Sequence, residues 1–419
     1  MTERPSHEAG MQHPFKVTLD PVQEFLWAVE LSRPIFAILA TEASGTVSPE
    51  SWRSALDAVQ LRYPMLSMTI EKNVGERPQL VPLLDVSLPL RLQSLLHDVD
   101  LLRLMEAEAR VSFGLGQGPL ARLSVYTTAE RSYIVFAAHH AICDGLTNLM
   151  IMADLIKGAS GGTLGGAKPI LPSVSEMLGL PPVGSYAHLL KQNGSPPATP
   201  EVLEDAKMNG VVLETVALER ILARARESDA TLQSALIVAL QRAAMSLSAE
   251  WRSGQKLCLS PVNLRHSIGV ADAAGLWLSM HPTLLDSTSD SDFWEVARTT
   301  REPMRHAHSL EAARAGVNAL FSAFNTELDP YQPHSLDPHK FFGYDLMVSN
   351  LGVVSEPLGN ETLRVEKIFQ SATSPENDKA QVVSVITLEG RLHLHHVSRY
   401  PIKGLLEGAV SLLQEAVAS

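Results

Sequence analysis

The stretch His-His-Ala-Ile-Cys-Asp-Gly, residues 139–145, contains the residue types in this chain that are best suited to chemistry. Histidine has a reference pKa of ~6.5, so its side chain can accept a proton at neutral pH and return it later. Transfer of an acyl group to a hydroxyl or an amine needs such a general base. Asp144 could orient a histidine ring or brace the loop, and Gly145 is expected to allow a tight turn. The alternative is an ordinary loop in which backbone carbonyl groups satisfy His139 and His140.

The elements on either side of these residues determine where they would lie. Residues 133–138 are continuously apolar, which predicts a central strand covered on both faces. A second strand is predicted before it, and the polar residues 127–131 predict the turn that joins the two. After Gly145 the apolar residues recur with helical spacing. The histidines are therefore expected where a buried strand ends and a helix begins, a position at which reactive side chains can reach a cleft.

The composition predicts a globular protein and excludes several classes of function. Of the 419 residues, 45% are hydrophobic and 19% are charged, and the formal net charge is -12. Because no cluster of lysine and arginine is long enough to bind a polyanion, no nucleic-acid partner is expected. The apolar runs are far shorter than the ~20 residues that cross a bilayer, so no membrane span is predicted. The first residues lack the pattern of a secretory signal, and a cytoplasmic protein is expected.

The length and the distribution of glycine and proline predict two lobes. A chain of 419 residues is long for a single core. Glycine and proline become frequent after residue 160, which is typical of a connecting segment. We therefore predict an N-terminal lobe in residues 1–160, a crossover in residues 161–200 and a C-terminal lobe in residues 201–419. Helices and strands alternate in both lobes, which indicates an α/β (α+β) fold.

Local patterns predict further elements on both sides of the crossover. Ser48 and Thr231 are each expected to cap a helix, and a last helix is expected from Lys403. The apolar positions at helical spacing after Ser48 are Trp52, Leu56, Val59 and Leu61. Strands are predicted in residues 210–218, 256–265, 344–352 and 381–397.

Residues 139–145 resemble the His-His-x-x-x-Asp-Gly signature of the CoA-dependent acyltransferase superfamily. This superfamily includes nonribosomal peptide condensation domains, plant alcohol acyltransferases and mycobacterial polyketide-associated acyltransferases. Other segments are similar to the family in the expected order, and together they cover nearly the whole chain: residues 19–27, 61–66, 118–123, 231–243 and 261–265.

One departure from the family pattern concerns the end of the chain. Condensation domains and plant acyltransferases carry the motif Asp-Phe-Gly-Trp-Gly there, and this sequence does not. The nearest feature is Ser-Asn-Leu-Gly, residues 349–352, which resembles the bacterial and fungal alcohol-acetyltransferase branch. The resemblance therefore favours a free-standing ester-forming enzyme over a peptide synthetase module.

The resemblance also implies a fold and a role for each motif residue. It implies two chloramphenicol-acetyltransferase-like lobes, each a mixed sheet with helices, and an active-site channel between them. His140 would be the general base, without an acyl-enzyme intermediate, and His139 and Gly145 would support the motif. Asp144 would be a structural carboxylate that pairs with an arginine. We expect Arg265 to be that arginine, with a solvated charge at the end of a strand as the alternative.

Asn350 is a candidate for lining the channel, and a simple turn role before Gly352 is its alternative. Cys143 is expected to be a small buried side chain on the motif loop rather than a nucleophile. His393 and His395 would share one face of a strand. No third ligand is evident near them, so we predict an exposed sheet edge there and no metal site.

These implications predict an acyltransferase with no permanently bound cofactor. Its donor would be acyl-CoA or the acyl-phosphopantetheine arm of an acyl or peptidyl carrier protein. Its acceptor would be a hydroxyl of a secondary metabolite or lipid. Two alternatives stay open: a condensation-like enzyme that forms an amide with an amine acceptor, and a catalytically silent module that docks a carrier protein. A monomer is expected because two lobes in one chain would complete the site.

Overall fold

The computed structural model describes residues 16–30, 35–73, 77–113, 118–180, 206–286, 291–323, 343–372 and 379–418. The strands are β1 (Val17–Thr18), β2 (Phe36–Ser44), β3 (Met68–Glu71), β4 (Gln79–Pro82), β5 (Leu90–Ser94), β6 (Ala121–Thr127), β7 (Arg131–His139), β8 (Lys207–Leu213), β9 (Lys256–Asn263), β10 (Leu278–Leu285), β11 (Leu346–Val354), β12 (Arg364–Ala372), β13 (Gln381–Leu388) and β14 (Arg391–Ser398). The α-helices are α1 (Pro21–Glu30), α2 (Pro49–Arg62), α3 (Leu101–Glu108), α4 (Gly145–Ala159), α5 (Val174–Met177), α6 (Thr215–Glu227), α7 (Leu232–Leu247), α8 (Phe293–Arg301), α9 (Leu310–Ala323) and α10 (Leu405–Ala418).

Two mixed sheets dominate the structure, and helices cover them. The first sheet has five strands in the order β12-β2-β7-β6-β5, and the second has six in the order β10-β9-β11-β13-β14-β8. A third, three-stranded sheet has the order β1-β4-β3. The central strand of the first sheet is β7, which is buried from Ser132 to His139. The predicted α/β class and the predicted central strand are thus confirmed.

The second sheet contains the parallel strands that reach the motif. Strand β11 runs parallel to both β9 and β13. Its register places Met347 opposite Leu259 and Asn350 opposite Val385. Because neighbouring parallel strands end at the same edge, the segments that follow β9 and the end of β11 can meet the N-terminal lobe together.

Strand β12 does not follow the predicted division into lobes at residues 160 and 200. This strand lies late in the chain, yet it pairs antiparallel with β2 at the edge of the first sheet, with Gln370 opposite Leu39. The C-terminal part of the chain therefore supplies one strand to the N-terminal sheet. Of the predicted crossover, residues 181–200 lie outside the described residues.

The predicted helix caps are confirmed, whereas one predicted strand has different bounds. The Ser48 side chain accepts from the backbone N–H of Ser51, and Thr231 forms a reciprocal capping box with Ser234. Leu61 lies in α2 as its spacing predicts, but near the end of the helix and beyond the buried stripe, so it is 78% exposed. The strand predicted for residues 210–218 begins earlier, at Lys207, and ends at Leu213; the next helix begins at Thr215.

The predicted exposed edge at residues 393–396 is also wrong. Strand β14 lies inside the second sheet, between β13 and β8. His393, His395 and His396 are all buried. The first two rings pack near the Phe369 ring of β12, at centroid distances of 6.2 and 5.8 Å. Sequence periodicity correctly indicated a strand, but it does not reveal the order of strands in a sheet.

No helix in the described part of the chain is long and apolar enough to cross a membrane.

Candidate active site

The motif begins in a tight turn at the end of β7. The N–H of Ile142 donates to the carbonyl of His139 at 3.0 Å, which closes a turn with His140 and Ala141 at its centre. The Nδ1 atom of His139 accepts from the N–H of Ala141 at 3.0 Å. The Ala141 carbonyl accepts from Nε2 of Gln23 at 2.7 Å. Both sides of the Ala141 peptide are therefore bonded, and the turn is held firmly.

His139 is a buried support of this turn. Its ring has no exposed surface, and its Nε2 atom has no hydrogen-bond partner among the residues that the structure describes. Burial, with the neighbouring His140 as a second cause, lowers the pKa of His139 to about 3. The ring is therefore neutral at physiological pH and serves as an acceptor within the turn.

His140 is the first residue after β7, and its environment differs from that of His139. The residue is half-buried, and the Nδ1 edge of the ring is enclosed without a hydrogen-bond partner in the described ranges. A partly exposed histidine in a rigid turn can take up and return a proton without moving its backbone.

Asp144 and Arg265 form a buried, bidentate ion pair beside the turn. The Nη1 atom of Arg265 donates to Oδ2 of Asp144, and Nη2 donates to Oδ1, both at 2.8 Å. Both side chains are about 95% buried. The carboxylate also accepts from the backbone N–H groups of Thr147, at 2.8 Å, and Trp277, at 2.9 Å. The structure thus brings together the two residues that the resemblance paired.

Arg265 is anchored on its other side as well. Its Nε atom donates to the carbonyl of Ala273 at 2.8 Å, and Nη2 donates to Oγ1 of Thr147 at 2.7 Å. Thr147 in turn donates to the carbonyl of Gly275 at 2.8 Å. The pair therefore connects the start of α4 to the segment between β9 and β10, so it links the two halves of the chain.

Gly145 is the first residue of α4, and its role differs from the predicted turn. Its φ is not in the left-handed region. A Cβ atom at this position would collide with the amide of Gln370 and would lie 2.7 Å from Cδ2 of Leu351. Glycine is required here because strands β11 and β12 press against the start of α4.

Cys143 lacks the features of a nucleophile. It is fully buried, and its Sγ atom lies 2.6 Å from Oδ1 of Asn148. Burial, followed by the nearby Asp144, raises the pKa of the Cys143 thiol. The reactive form of cysteine is the thiolate, so this environment disfavours attack on a substrate.

Asn350 lies in β11, immediately before an irregularity in its pairing with β13. Its Oδ1 atom accepts from the N–H of Gly352 at 2.9 Å, and Gly352 has a φ of 82°. The side-chain oxygen is therefore engaged in a local turn, which is the alternative that the sequence left open.

Four residues of the site have no role in the sequence interpretation: Gln23, Thr147, Trp277 and Gln370. Thr147 stands three residues after Asp144, a spacing that could have indicated the helix cap. The backbone N–H of Trp277 and the amide of Gln370 carry no local signal, because they reach the motif from segments that are distant in the sequence. Gln370 is 7% exposed, and its Oε1 atom has no partner in the described part of the chain.

Within the described ranges, no group of three or more histidine, cysteine, aspartate or glutamate side chains could hold a metal ion.

Comparison with known proteins finds a sequence-family match for the motif-bearing part of the chain. The condensation-domain family model matches residues 16–173. The polyketide synthase PksN of Bacillus subtilis is 26% identical over 170 residues, which are 38% of this chain and 3% of PksN. This chain therefore spans only a small fraction of that relative.

Solved structures resemble the chain over almost its whole length. The condensation domain of the monacolin K polyketide synthase MokA has a TM-score of 0.71 at 14% identity, covering 97% of this chain and 98% of that one. The trichothecene 15-O-acetyltransferase TRI3 of Fusarium sporotrichioides has a TM-score of 0.66 at 13% identity, covering 96% and 95%. At such identities the likeness establishes the fold. The two-lobed fold is confirmed, and the expected resemblance to condensation domains is confirmed by the family model over residues 16–173.

Proposed function

We propose that this chain, which has the condensation-domain fold, is an acyltransferase that moves an acyl group from a thioester to a hydroxyl. His140 is the general base. The observation that carries the proposal is the contrast between His140 and its neighbours. His140 is half-buried and its enclosed Nδ1 atom has no hydrogen-bond partner in the described residues, whereas His139, Cys143 and Asp144 are buried and engaged in contacts within the protein.

The proposed reaction needs only one group in the protein that accepts and returns a proton. The acceptor hydroxyl gives its proton to a ring nitrogen of His140 while its oxygen attacks the carbonyl carbon of the thioester. The tetrahedral intermediate then breaks its carbon–sulfur bond. The departing sulfur takes the proton from His140, and the products are an ester, a free thiol and the original histidine.

Asp144 braces the loop in this mechanism and does not exchange protons. Its two carboxylate oxygens accept from the guanidinium of Arg265 and from two backbone N–H groups. An acceptor with its lone pairs so engaged is not available to a substrate. Its contribution is to hold the start of α4 in place behind His140.

The donor is a phosphopantetheine thioester, carried by coenzyme A or by a carrier protein. These two sources share the reacting group and the arm attached to it. A hydroxyl acceptor is supported by the Ser-Asn-Leu-Gly segment and by the shared fold with an O-acetyltransferase. The match of residues 16–173 to condensation domains favours an amine as the second candidate acceptor.

The test is the release of free thiol from acetyl-, octanoyl- and palmitoyl-coenzyme A in the presence of pooled alcohols or amines. Cys143 and Cys258 are both buried, so a thiol reagent will report the product against a low protein background. We expect acceptor-dependent release that His140→Ala lowers at least ~100-fold. The matched control is His306→Ala, because His306 is exposed and lies outside the motif in the sequence; it should retain wild-type turnover.

Three outcomes would change the proposal in different ways. Release only with amines would replace the ester product with an amide. Release only from an acyl carrier protein would identify the carrier as the donor. Tight carrier binding without thiol release from any donor would replace the enzyme with a docking module.

A further inference from the structure

We infer that Gln23 is a positioning residue that fixes the backbone of the turn carrying His140. Gln23 lies in α1, far from the motif in sequence, and its side chain is 8% exposed. Its Nε2 atom donates to the carbonyl of Ala141 at 2.7 Å. This inference rests on the proposed function, because it concerns the proton acceptor of that reaction.

The other end of the same amide is fixed by a helix cap. Oε1 of Gln23 accepts from the backbone N–H of Asp20 at 2.8 Å, and Oδ1 of Asp20 accepts from the N–H of Val22 at 3.0 Å. This reciprocal arrangement is a capping box at the start of α1. The Oε1 atom of Gln23 is therefore bonded at the start of α1 and its Nε2 atom at the motif, so both ends of the side-chain amide are held.

Asp20 is itself tied to the segment that leaves the N-terminal lobe. Its Oδ2 atom accepts from Oγ of Ser175 at 2.5 Å and from the N–H of Ser175 at 3.2 Å. The support behind Gln23 thus includes both α1 and α5. A displacement of either helix would therefore move the Gln23 side chain and, with it, the Ala141 carbonyl.

The consequence for His140 follows from the geometry of a turn. The peptide that precedes Ala141 is held by His139, whose Nδ1 atom accepts the Ala141 N–H, and the peptide that follows it is held by Gln23. His140 lies directly before this clamped residue. Loss of the Gln23 bond would allow the peptide to rotate, and a small misplacement of a catalytic group can cost ~100-fold in rate.

Gln23→Met is the decisive substitution, and Gln60→Met is its matched control. Methionine has a similar length but cannot donate to a carbonyl. Gln60 is also 8% exposed in the same lobe; its Nε2 atom donates to the Val86 carbonyl at 2.8 Å and its Oε1 atom accepts from the Leu88 N–H at 3.0 Å. Both variants lose one amide bridge between backbone segments, but only Gln23 touches the motif.

We expect Gln23→Met to lower kcat ~10-fold or more, with KM within about twofold, at a melting temperature similar to that of Gln60→Met. Gln60→Met should keep the wild-type kcat. Equal kcat values for the two variants would overturn the inference, because the effect of Gln23 would then be only structural.

Gln23→Glu serves as a second variant if the methionine protein does not fold. Glutamate is a natural partner in a capping box and keeps the acceptor for Asp20, but an ionised carboxylate has no N–H for the Ala141 carbonyl. Assayed at about pH 8.5, it should show the same loss of kcat with α1 intact.

A readout without substrate separates this inference from the proposed function. In protein labelled at histidine Cε1, the His140 signal is identified by its absence in His140→Ala. We expect this signal to shift or broaden in Gln23→Met and to stay unchanged in Gln60→Met. An unchanged signal would overturn the inference even if the enzyme is active, and a shifted signal would support it even if no donor reacts.

Discussion

Asp144 joins three separate segments of the chain through one carboxylate. It caps α4 through the N–H of Thr147, binds the guanidinium of Arg265 after β9, and accepts from the N–H of Trp277 before β10. A buried ion pair need not be more stabilising than an apolar pair, but removal of one partner leaves the other charge without compensation. The pair is therefore best tested by removing a single member.

Arg265→Ala is expected to destabilise the protein by about 3–5 kcal/mol, because the Asp144 carboxylate would remain buried without its partner. It should also lower turnover, since the start of α4 would lose its anchor. Urea unfolding at neutral pH measures the first effect, and thiol release measures the second. Arg364→Ala, which removes an exposed pair with Glu389, should cost no more than about 1 kcal/mol. Unchanged stability and turnover in Arg265→Ala would contradict the role of the pair.

The sequence allows much of the motif to be predicted at the scale of single residues, but not its surroundings. The spacing of His139, His140 and Asp144 indicated a base and a brace, and the family resemblance indicated Arg265. Gln370 could not be predicted, because only the pairing of β12 with β2 brings it to Gly145. A side chain that arrives through tertiary structure leaves no periodic pattern around the site that it completes.

At the scale of elements, strand β12 is the feature that joins the two sheets. It pairs with β2 in the first sheet, while its Phe369 ring lies against β14 and β8 of the second. Gly210 of β8 makes this approach possible. A Cβ atom there would lie 2.7 to 3.1 Å from three atoms of the Phe369 ring.

Gly210→Ala is expected to destabilise the protein by about 1–3 kcal/mol, because the added methyl group overpacks the contact between β8 and β12. The matched control is Gly166→Ala, where a Cβ atom would meet nothing within 4 Å. Thermal unfolding of the two variants checks the difference. The double variant Gly210→Ala with Phe369→Leu should recover part of the loss; no difference between the two single variants would show that the strands adjust freely.

Several elements follow from local patterns, whereas their arrangement does not. The turn between β6 and β7, the caps at Ser48 and Thr231 and the last helix all match patterns read from a few neighbouring residues. Strand order depends on contacts between distant segments. For that reason β14 was assigned to an exposed edge although it lies between two other strands.

At the scale of the whole molecule, four histidines are buried in the interior: His139, His393, His395 and His396. Burial lowers the pKa of His139 and His395 to about 3 and of His393 and His396 to about 4. Three of the four lie on β14, and His139 ends β7, so both large sheets contain neutral imidazoles. Buried carboxyl groups act in the opposite direction: burial raises the pKa of Glu30 to about 7, and it also raises the pKa of Asp20.

These values predict a steep loss of stability as the pH falls below 6.5. Between 6.5 and about 4 the unfolded chain binds protons on these four histidines while the folded chain does not, so the free energy of unfolding must decrease with acidification. Each histidine contributes roughly 1.4 kcal/mol per pH unit, and Glu30 acts in the opposite direction by a similar amount up to about pH 7. The net slope is therefore smaller than that of four histidines.

Substitution of a single histidine isolates its share of this slope. The leucine side chain in His395→Leu does not titrate. Between about pH 6.5 and pH 4.5 the free energy of unfolding of this variant should therefore fall less steeply than that of the wild type, by roughly 1.4 kcal/mol per pH unit. Urea unfolding at several pH values in this range measures the slope directly. His306→Ala, at an exposed position, should leave the wild-type slope unchanged. Parallel slopes for His395→Leu and the wild type would mean that the unfolded and folded chains protonate this histidine equally, and the buried imidazoles would not be the origin of acid sensitivity.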